Sequence, residues 1–244
     1  SHAPNYYSAL HLKGEYYYLT KEPVKAYKYL NEALKSIGQQ PDFTKEEFYK
    51  ETESPGKTNM YLGNIFYYYF DKVKNKPNGL EDEIAENDKE KMDNYKSAQK
   101  YYEKALNYFS DNNIINFQAS ELYYNLGRIH YLKGEYSFAL DYWLHLYDDF
   151  VRSPELMLSL GNAFYNSGNG AGPGNYEAAK GEYLKLISVL DYEADKIKTV
   201  DLSKVSHIKI FQTLSSAYNN LGAVYQKTGE HIKRDIAYWK AIDY

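Results

Sequence analysis

The side chains best suited to chemistry are few and poorly spaced for it. Six histidines, His2, His11, His130, His145, His207 and His231, lie far apart. None forms HExxH or another metal-ligand pair, so no metal site is expected. The absence of cysteine removes disulfides, thiol nucleophiles and Cys-based zinc sites. The stretch GNGAGPGN at 168–175 suggests a phosphate loop, but it fits neither GxGxxG nor GxxxxGK(S/T). It also follows a helical pattern rather than a strand, so a flexible turn between helices is expected there. Glu81, Asp82, Glu83 and Glu86 sit in a polar stretch that lacks the Asp/Gly pattern of a calcium loop, and they read as solvated surface. No motif supports a Ser–His–Asp arrangement. The chain is therefore expected to carry no catalytic residue, no metal and no cofactor, and not to be an enzyme.

Helical periodicity is far stronger. In YYNLGRIHYLKGEYSFALDYWLHL at 123–146, Tyr123, Leu126, Gly127, His130 and Tyr131 follow helical spacing. Lys133-Gly134 stops that helix, and Tyr136, Ala139, Leu140, Trp143 and Leu146 share one face of a second. Two amphipathic helices across a glycine turn make an αα-hairpin. The pattern returns four times. It is seen in Leu62, Gly63 and Phe66 with Tyr95, Ala98, Tyr102 and Ala105, and in Met157, Leu160, Gly161 and Phe164 with Tyr176, Ala179, Tyr183 and Leu186. Tyr218, Leu221, Gly222 and Tyr225 pair with Tyr238 and Ala241, and a weaker copy joins Leu10, Gly14 and Tyr17 to Ala26, Leu30 and Ala33.

These hairpins resemble the tetratricopeptide repeat (TPR), whose 34-residue unit carries a large residue, Leu-Gly and Tyr in its first helix and small-large-small residues in its second. The resemblance covers nearly the whole chain. It implies an all-α fold, a TPR-type αα-hairpin solenoid wound as a right-handed superhelix, with insertions. One domain over 4–244 is expected, with units near 7–40, 56–110, 120–153, 154–198 and 202–244. The glycine is expected to bring the helices close, and the second-helix small residue to receive the partner ring. Arg234 departs from the pattern where a small residue belongs, and His130 stands at an aromatic framework position, where core packing is expected. Only one spacing between successive signature glycines, 34 among 49, 64, 34 and 61, is ideal, so the array is decorated.

Two copies of LKGEY, at 12–16 and 132–136, test this register. Gly134 is assigned to the turn between helices, at a position where positive φ is tolerated. Gly14 is placed inside a first helix, because Pro23 then falls in the first turn of the next one. The insertions are 41–55, where Thr44 and Glu47 suggest a capping box and a short helix, and 72–94, a charged stretch expected to be a solvated loop. Residues 177–198 and 202–227 read as helices longer than the repeat standard. Residues 1–3 read as a cloning remnant, and the chain is expected to be a piece of a longer protein.

In TPR arrays the first helices line a concave face that receives peptides or partner helices. The resemblance places Asn64, Tyr67, Tyr68, Tyr124, Asn125, Arg128, Tyr131, Asn162, Tyr165, Asn166, Asn219 and Asn220 there. Asparagine amides suit both groups of an extended backbone, and tyrosine adds rigid contact area. With Arg128 the one strong cation in the set, a clamp for a C-terminal carboxylate is not expected. A net charge of −4 without single-sign runs argues against nucleic acid and anionic membrane. The longest apolar stretches are too short and too tyrosine-rich to span a bilayer, and a cytoplasmic or periplasmic setting is expected. The function implied is a non-enzymatic protein–protein interaction module, a scaffold that binds a peptide or protein segment in its groove. The alternative is a structural subunit of a larger assembly, such as a bacterial envelope or motility apparatus, packing through edges and insertions. The last helix, with Tyr238, Trp239 and Ile242, is expected to expose an apolar face.

Overall fold

The turn that closes a hairpin sets which residues meet across it. In this protein the turn lies seven residues beyond a first-helix glycine in three hairpins. Positive φ occurs at Lys21 (60°), Gly134 (80°) and Gly229 (78°), following Gly14, Gly127 and Gly222. At each, the next N–H bonds back to the carbonyl five residues earlier: Glu22 to Tyr17 at 2.8 Å, Glu135 to His130 at 2.9 Å and Glu230 to Tyr225 at 2.9 Å. This left-handed stop satisfies helix-end carbonyls that would otherwise lack partners. The two LKGEY copies therefore do different jobs: Gly14 lies within a helix, and Gly134 is the turn.

A computed structural model describes residues 6–37, 54–73, 94–111, 117–149, 153–171, 174–197 and 204–244; some side chains near helix ends, Tyr68 among them, lie outside that description. Ten α-helices follow in order among these residues. They are α1 (Tyr6–Leu19), α2 (Pro23–Ile37), α3 (Ser54–Val73), α4 (Asn94–Asp111), α5 (Phe117–Leu132), α6 (Tyr136–Asp149), α7 (Pro154–Ala171), α8 (Gly174–Lys196), α9 (Val205–Thr228) and α10 (His231–Asp243). No strand is present among the described residues. Consecutive helices among the described residues form five hairpins. Pro23 opens α2, where its missing N–H breaks no helical bond. The α8 and α9 helices, with 23 and 24 residues, are the long pair anticipated from the sequence.

The hairpin glycines bring the helices close, as expected. A large second-helix side chain rests on the first-helix glycine in every hairpin, a ring in four and Leu30 in the first. A Cβ on Gly63 would stand 2.5 Å from the Tyr102 ring, on Gly161 2.5 Å from Tyr183, and on Gly222 2.5 Å from Tyr238. Gly127 meets Trp143 in the same way, and Gly14 meets the Leu30 side chain at 2.6 Å. Four residues before each of these lies Ala26, Ala98, Ala139, Ala179 or Arg234; the four alanines are fully buried, and Arg234 is the departure expected at the last hairpin. Tyr238 thus packs inward instead of joining the exposed face. In the glycine-rich stretch the turn is shorter than the 168–175 expected: α7 continues helical to Ala171 and α8 begins at Gly174. Residues 172–173, the Thr44–Glu47 box and 74–93 of the charged insertion lie outside the described residues.

The helices divide into two compact units, Ser1–Asn125 and Leu126–Tyr244. In the first, Ala26, Leu30, Leu62 and Ile65 form one core cluster, and Tyr7, Leu10 and Ala33 another. In the second, Met157, Tyr183, Leu186, Ile187, Leu190, Leu214, Leu221 and Val224 form one continuous cluster. Each such large side chain taken out of water contributes about 1.5–3 kcal/mol. His130 is buried as expected, bonded through Nδ1 to Glu135 at 2.7 Å and stacked on Tyr142. No described helix is long and apolar enough to cross a membrane.

Candidate functional site

The asparagines expected in the groove are held by hydrogen bonds from neighbouring helices. In the first unit, the Tyr102 ring that lies over Gly63 donates its hydroxyl to Asn64 Oδ1 at 2.5 Å. Asn64 Nδ2 donates to Tyr18 Oη at 3.3 Å and to Glu121 Oε1 at 3.2 Å. Asn125 Nδ2 bridges Asn64 Oδ1 at 3.5 Å and Tyr102 Oη at 3.4 Å. An amide has two donor hydrogens and two acceptor lone pairs, and all four of Asn64's are engaged. Burial pushes the Tyr102 phenol well above its ordinary pKa, so it remains a donor at any physiological pH.

The second unit repeats the device. Tyr183 rests on Gly161 and donates to Asn162 Oδ1 at 2.7 Å, while Asn220 Nδ2 donates to the same oxygen at 2.8 Å. Asn219 Nδ2 donates to Asn220 Oδ1 at 3.3 Å. Asn166 Nδ2 donates to Tyr131 Oη at 2.8 Å and to the Asn162 carbonyl at 2.9 Å. The sequence carries a signal for this that went unread. Leu-Gly-Asn occurs at 62–64 and 160–162, and in both hairpins the ring over the glycine is tyrosine. Where Arg128 or Ala223 follows the glycine, no such bond forms. The glycine receives the ring face, and the asparagine beside it receives the ring's hydroxyl.

Three expected groove residues line one cavity. Arg128, Tyr131 and Leu132 of α5, Trp143 of α6, and Ser159 and Asn162 of α7 surround about 140 Å³ within the second unit. Its floor is aromatic, with Tyr131 5.8 Å from Trp143 and 5.4 Å from Tyr136 between ring centroids. Burial raises the Tyr131 phenol pKa, with Tyr136 adding to the effect. Trp143, Leu132 and Ser159 were not anticipated here; Trp143 had been assigned only to the hairpin core. Of the other expected residues in the second unit, Asn166 and Asn220 bond to the Tyr131 and Asn162 that line the cavity. Tyr165 makes an edge contact with Tyr176 at 5.6 Å, Asn219 is exposed, and Tyr67 and Tyr124 are half-buried.

A second cluster was also missed. His11 Nδ1 lies 2.7 Å from Thr58 Oγ1, Tyr7 Oη lies 2.7 Å from the same hydroxyl, and His11 Nε2 is 3.9 Å from Glu15. A hydroxyl, an imidazole and a carboxylate in series could serve nucleophilic catalysis. Thr58, however, is fully buried and capped by Tyr7, which leaves no space for a substrate carbonyl. The cluster reads as a polar tie between α1 and α3. Among the described residues, no group of His, Asp and Glu is placed to hold a metal.

By sequence, no family model and no curated protein matches the chain. By structure, several helical repeat proteins do. A crystal structure of MamA superposes with a TM-score of 0.61 at 14% identity, over 99% of this chain and 92% of that one. BtubC (BKLC) from P. vanneervenii gives 0.58 at 14% identity, over 94% and 76%. The nearly identical TPR-like repeats of a Podosopora anserina kinesin light chain give 0.56 at 10% identity, over 100% and 96%. At such identities the likeness is one of fold, and that fold is the TPR-type helical repeat.

Proposed function

We propose that this chain, built on the TPR fold, is a non-enzymatic interaction scaffold that receives a segment of another protein at the first-helix face around the Arg128–Asn162 cavity. The observation that carries the reading is that cavity. It offers an aromatic floor, one guanidinium and a serine hydroxyl, with walls fixed by the Tyr183–Asn162–Asn220 and Tyr131–Asn166 bonds. A surface held rigid before binding loses less entropy when a ligand arrives. The asparagines support the reading in a different way from that expected: they shape the wall, while Arg128, Trp143 and Ser159 offer the contacts. A small, open, aromatic-lined recess suits one anchoring side chain of an extended segment better than a whole small molecule.

The test is selection of random peptides on the immobilised protein, followed by affinity measurement on variants. Arg128→Ala and Ser159→Ala change the recess without touching the core rings. Enriched peptides should lose about tenfold in affinity or more on these variants. Peptides that bind both variants as well as the parent would remove the recess from consideration.

A further inference from the structure

The α10 helix carries a second apolar face that the other second helices lack. Counting from the residue that lies over the hairpin glycine, the positions six and two before and one after point away from the hairpin. In α2 these are Val24, Lys28 and Asn31; in α4, Lys96, Lys100 and Glu103; in α6, Ser137, Asp141 and Leu144; in α8, Glu177, Gly181 and Leu184. In α10 they are Ile232, Ile236 and Trp239, with 79%, 54% and 68% exposure. At 100° per residue the three fall within an arc of about 60°. Ala237 and Tyr238 face α9 from the other side.

A following hairpin would leave most of this stripe uncovered. The internal junctions show where the next hairpin sits, which is over the residue four beyond the ring. Ile187 of α8 is buried in the cluster that includes Leu214, Ala217 and Leu221 of α9, and Tyr147 of α6 packs against the same cluster beside Met157. The equivalent in α10 is Ile242, on the shoulder of the stripe. Ile236 lies further round, where Lys28, Lys100 and Asp141 of other second helices are exposed. The Trp239 edge is nearer the junction: its counterpart Asn31 accepts from Tyr101 of the next hairpin at 3.3 Å, while Leu144 and Leu184 are exposed.

We infer that this stripe is a self-association face, on which α10 of one copy packs parallel against α10 of a second copy about a two-fold axis. The flanking charges choose this occupant and orientation. Ile232, Ile236 and Trp239 repeat at the four-and-three spacing of a coiled-coil seam. Lys233 and Lys240 border one side, and Asp235 borders the other; Asp243, next in the spacing, is the last residue of α10 and ends the apolar seam. Parallel pairing sets Asp235 of each copy against Lys240 of the other, five residues on. Antiparallel pairing would set lysine against lysine and aspartate against aspartate. In the single chain, Asp235 reaches Arg234 at 2.8 Å and Lys240 reaches Tyr218 Oη at 3.2 Å; both lie at the surface, positioned to turn toward a partner. A seam of three large side chains on a 13-residue helix is small, so the dimer is weak and depends on concentration.

Sedimentation equilibrium of the full chain from about 1 to about 200 µM tests this, a range set to bracket weak association. The parent should shift from monomer to dimer, and Trp239→Glu or Ile236→Asp, both at exposed positions, should remain monomeric with unchanged circular dichroism. Asp235→Lys alone and Lys240→Asp alone should each weaken self-association about tenfold or more. An equimolar mixture of those two variants should regain it, because each seam contact then pairs opposite charges. A parent that is monomeric throughout would overturn the inference. So would a dimer indifferent to Trp239→Glu, or a mixture that fails to recover, which would refute the parallel seam.

Discussion

Lys21 holds φ at 60° at the turn position that glycine occupies in two other hairpins, a conformation that costs a residue with a Cβ about 1 kcal/mol. Lys21→Gly should raise the urea midpoint by the equivalent of about 0.5–1 kcal/mol, less than the full strain because glycine also loosens the unfolded chain. Glycines inside helices divide by what lies over them. A Cβ on Gly161 would meet the Tyr183 ring at 2.5 Å, and that buried ring cannot step aside, so Gly161→Ala should cost about 2–3 kcal/mol. A Cβ on Gly181 meets nothing, so Gly181→Ala should stabilise by about 0.5–1 kcal/mol through helix propensity alone. The same denaturation series distinguishes the two.

His11 adds a pH dependence at the same scale. Burial holds its imidazole below the ordinary value, against an upward pull from Glu15 and with a further push down from Lys57. The folded chain thus keeps His11 neutral at a pH where the unfolded chain, titrating near 6.5, already binds a proton. Stability should begin to fall as the pH drops below about 6.5 and keep falling until the depressed folded value is passed. Melting temperatures measured between pH 7 and 5 should decline more steeply for the parent than for His11→Gln, which retains an amide for Thr58. Equal slopes would show that His11 is not the group responsible.

Among the elements, helices are coupled through the tyrosine–asparagine bonds as well as through apolar packing. Tyr102 ties α4 to α3, and Asn64 carries that tie to α1 through Tyr18 and to α5 through Glu121 and Asn125. Tyr102→Phe should keep the ring over Gly63 and lose about 1–2 kcal/mol, the net worth of the two hydrogen bonds its hydroxyl makes with Asn64 and Asn125. Asn64→Ala should lose more, about 2–4 kcal/mol, because several buried polar groups lose their partner together. A double variant should fall short of the sum, since both changes remove the same 2.5 Å bond.

Across the whole molecule, repeated hairpins touch mainly their chain neighbours, so stability is held locally. In the second unit α8 packs on α7 and α9, and α9 on α10. Gly222→Ala, which drives a Cβ into Tyr238, should therefore speed amide exchange in α9 and α10 first and in α8 less, leaving α1 and α2 unchanged. Uniform acceleration along the chain would mean a single cooperative unit instead. The scaffold reading belongs to this scale as well. On that reading the Arg128 recess and the α10 stripe are the two surfaces that would meet partners.

The paired helices were legible in the sequence. Helical period, the glycines at 14, 63, 127, 161 and 222, and the alanines twelve or more residues later are local patterns, and they point to an all-α chain of helical hairpins. They also fixed the different roles of the two LKGEY copies, because Pro23 can begin a helix but not sit inside one. What those residues touch depends on how the helices come together. A lone Asn beside a glycine reads as free surface until a ring from another helix arrives with its hydroxyl 2.5 Å away. Likewise, 168–175 reads as a turn, whereas the α7 backbone stays helical through Gly168 and Gly170 to Ala171. Period and propensity act over a few residues along the chain, whereas the hydrogen-bond partners of Asn64 and Asn162 lie between 21 and 61 residues away, a separation that no local pattern encodes.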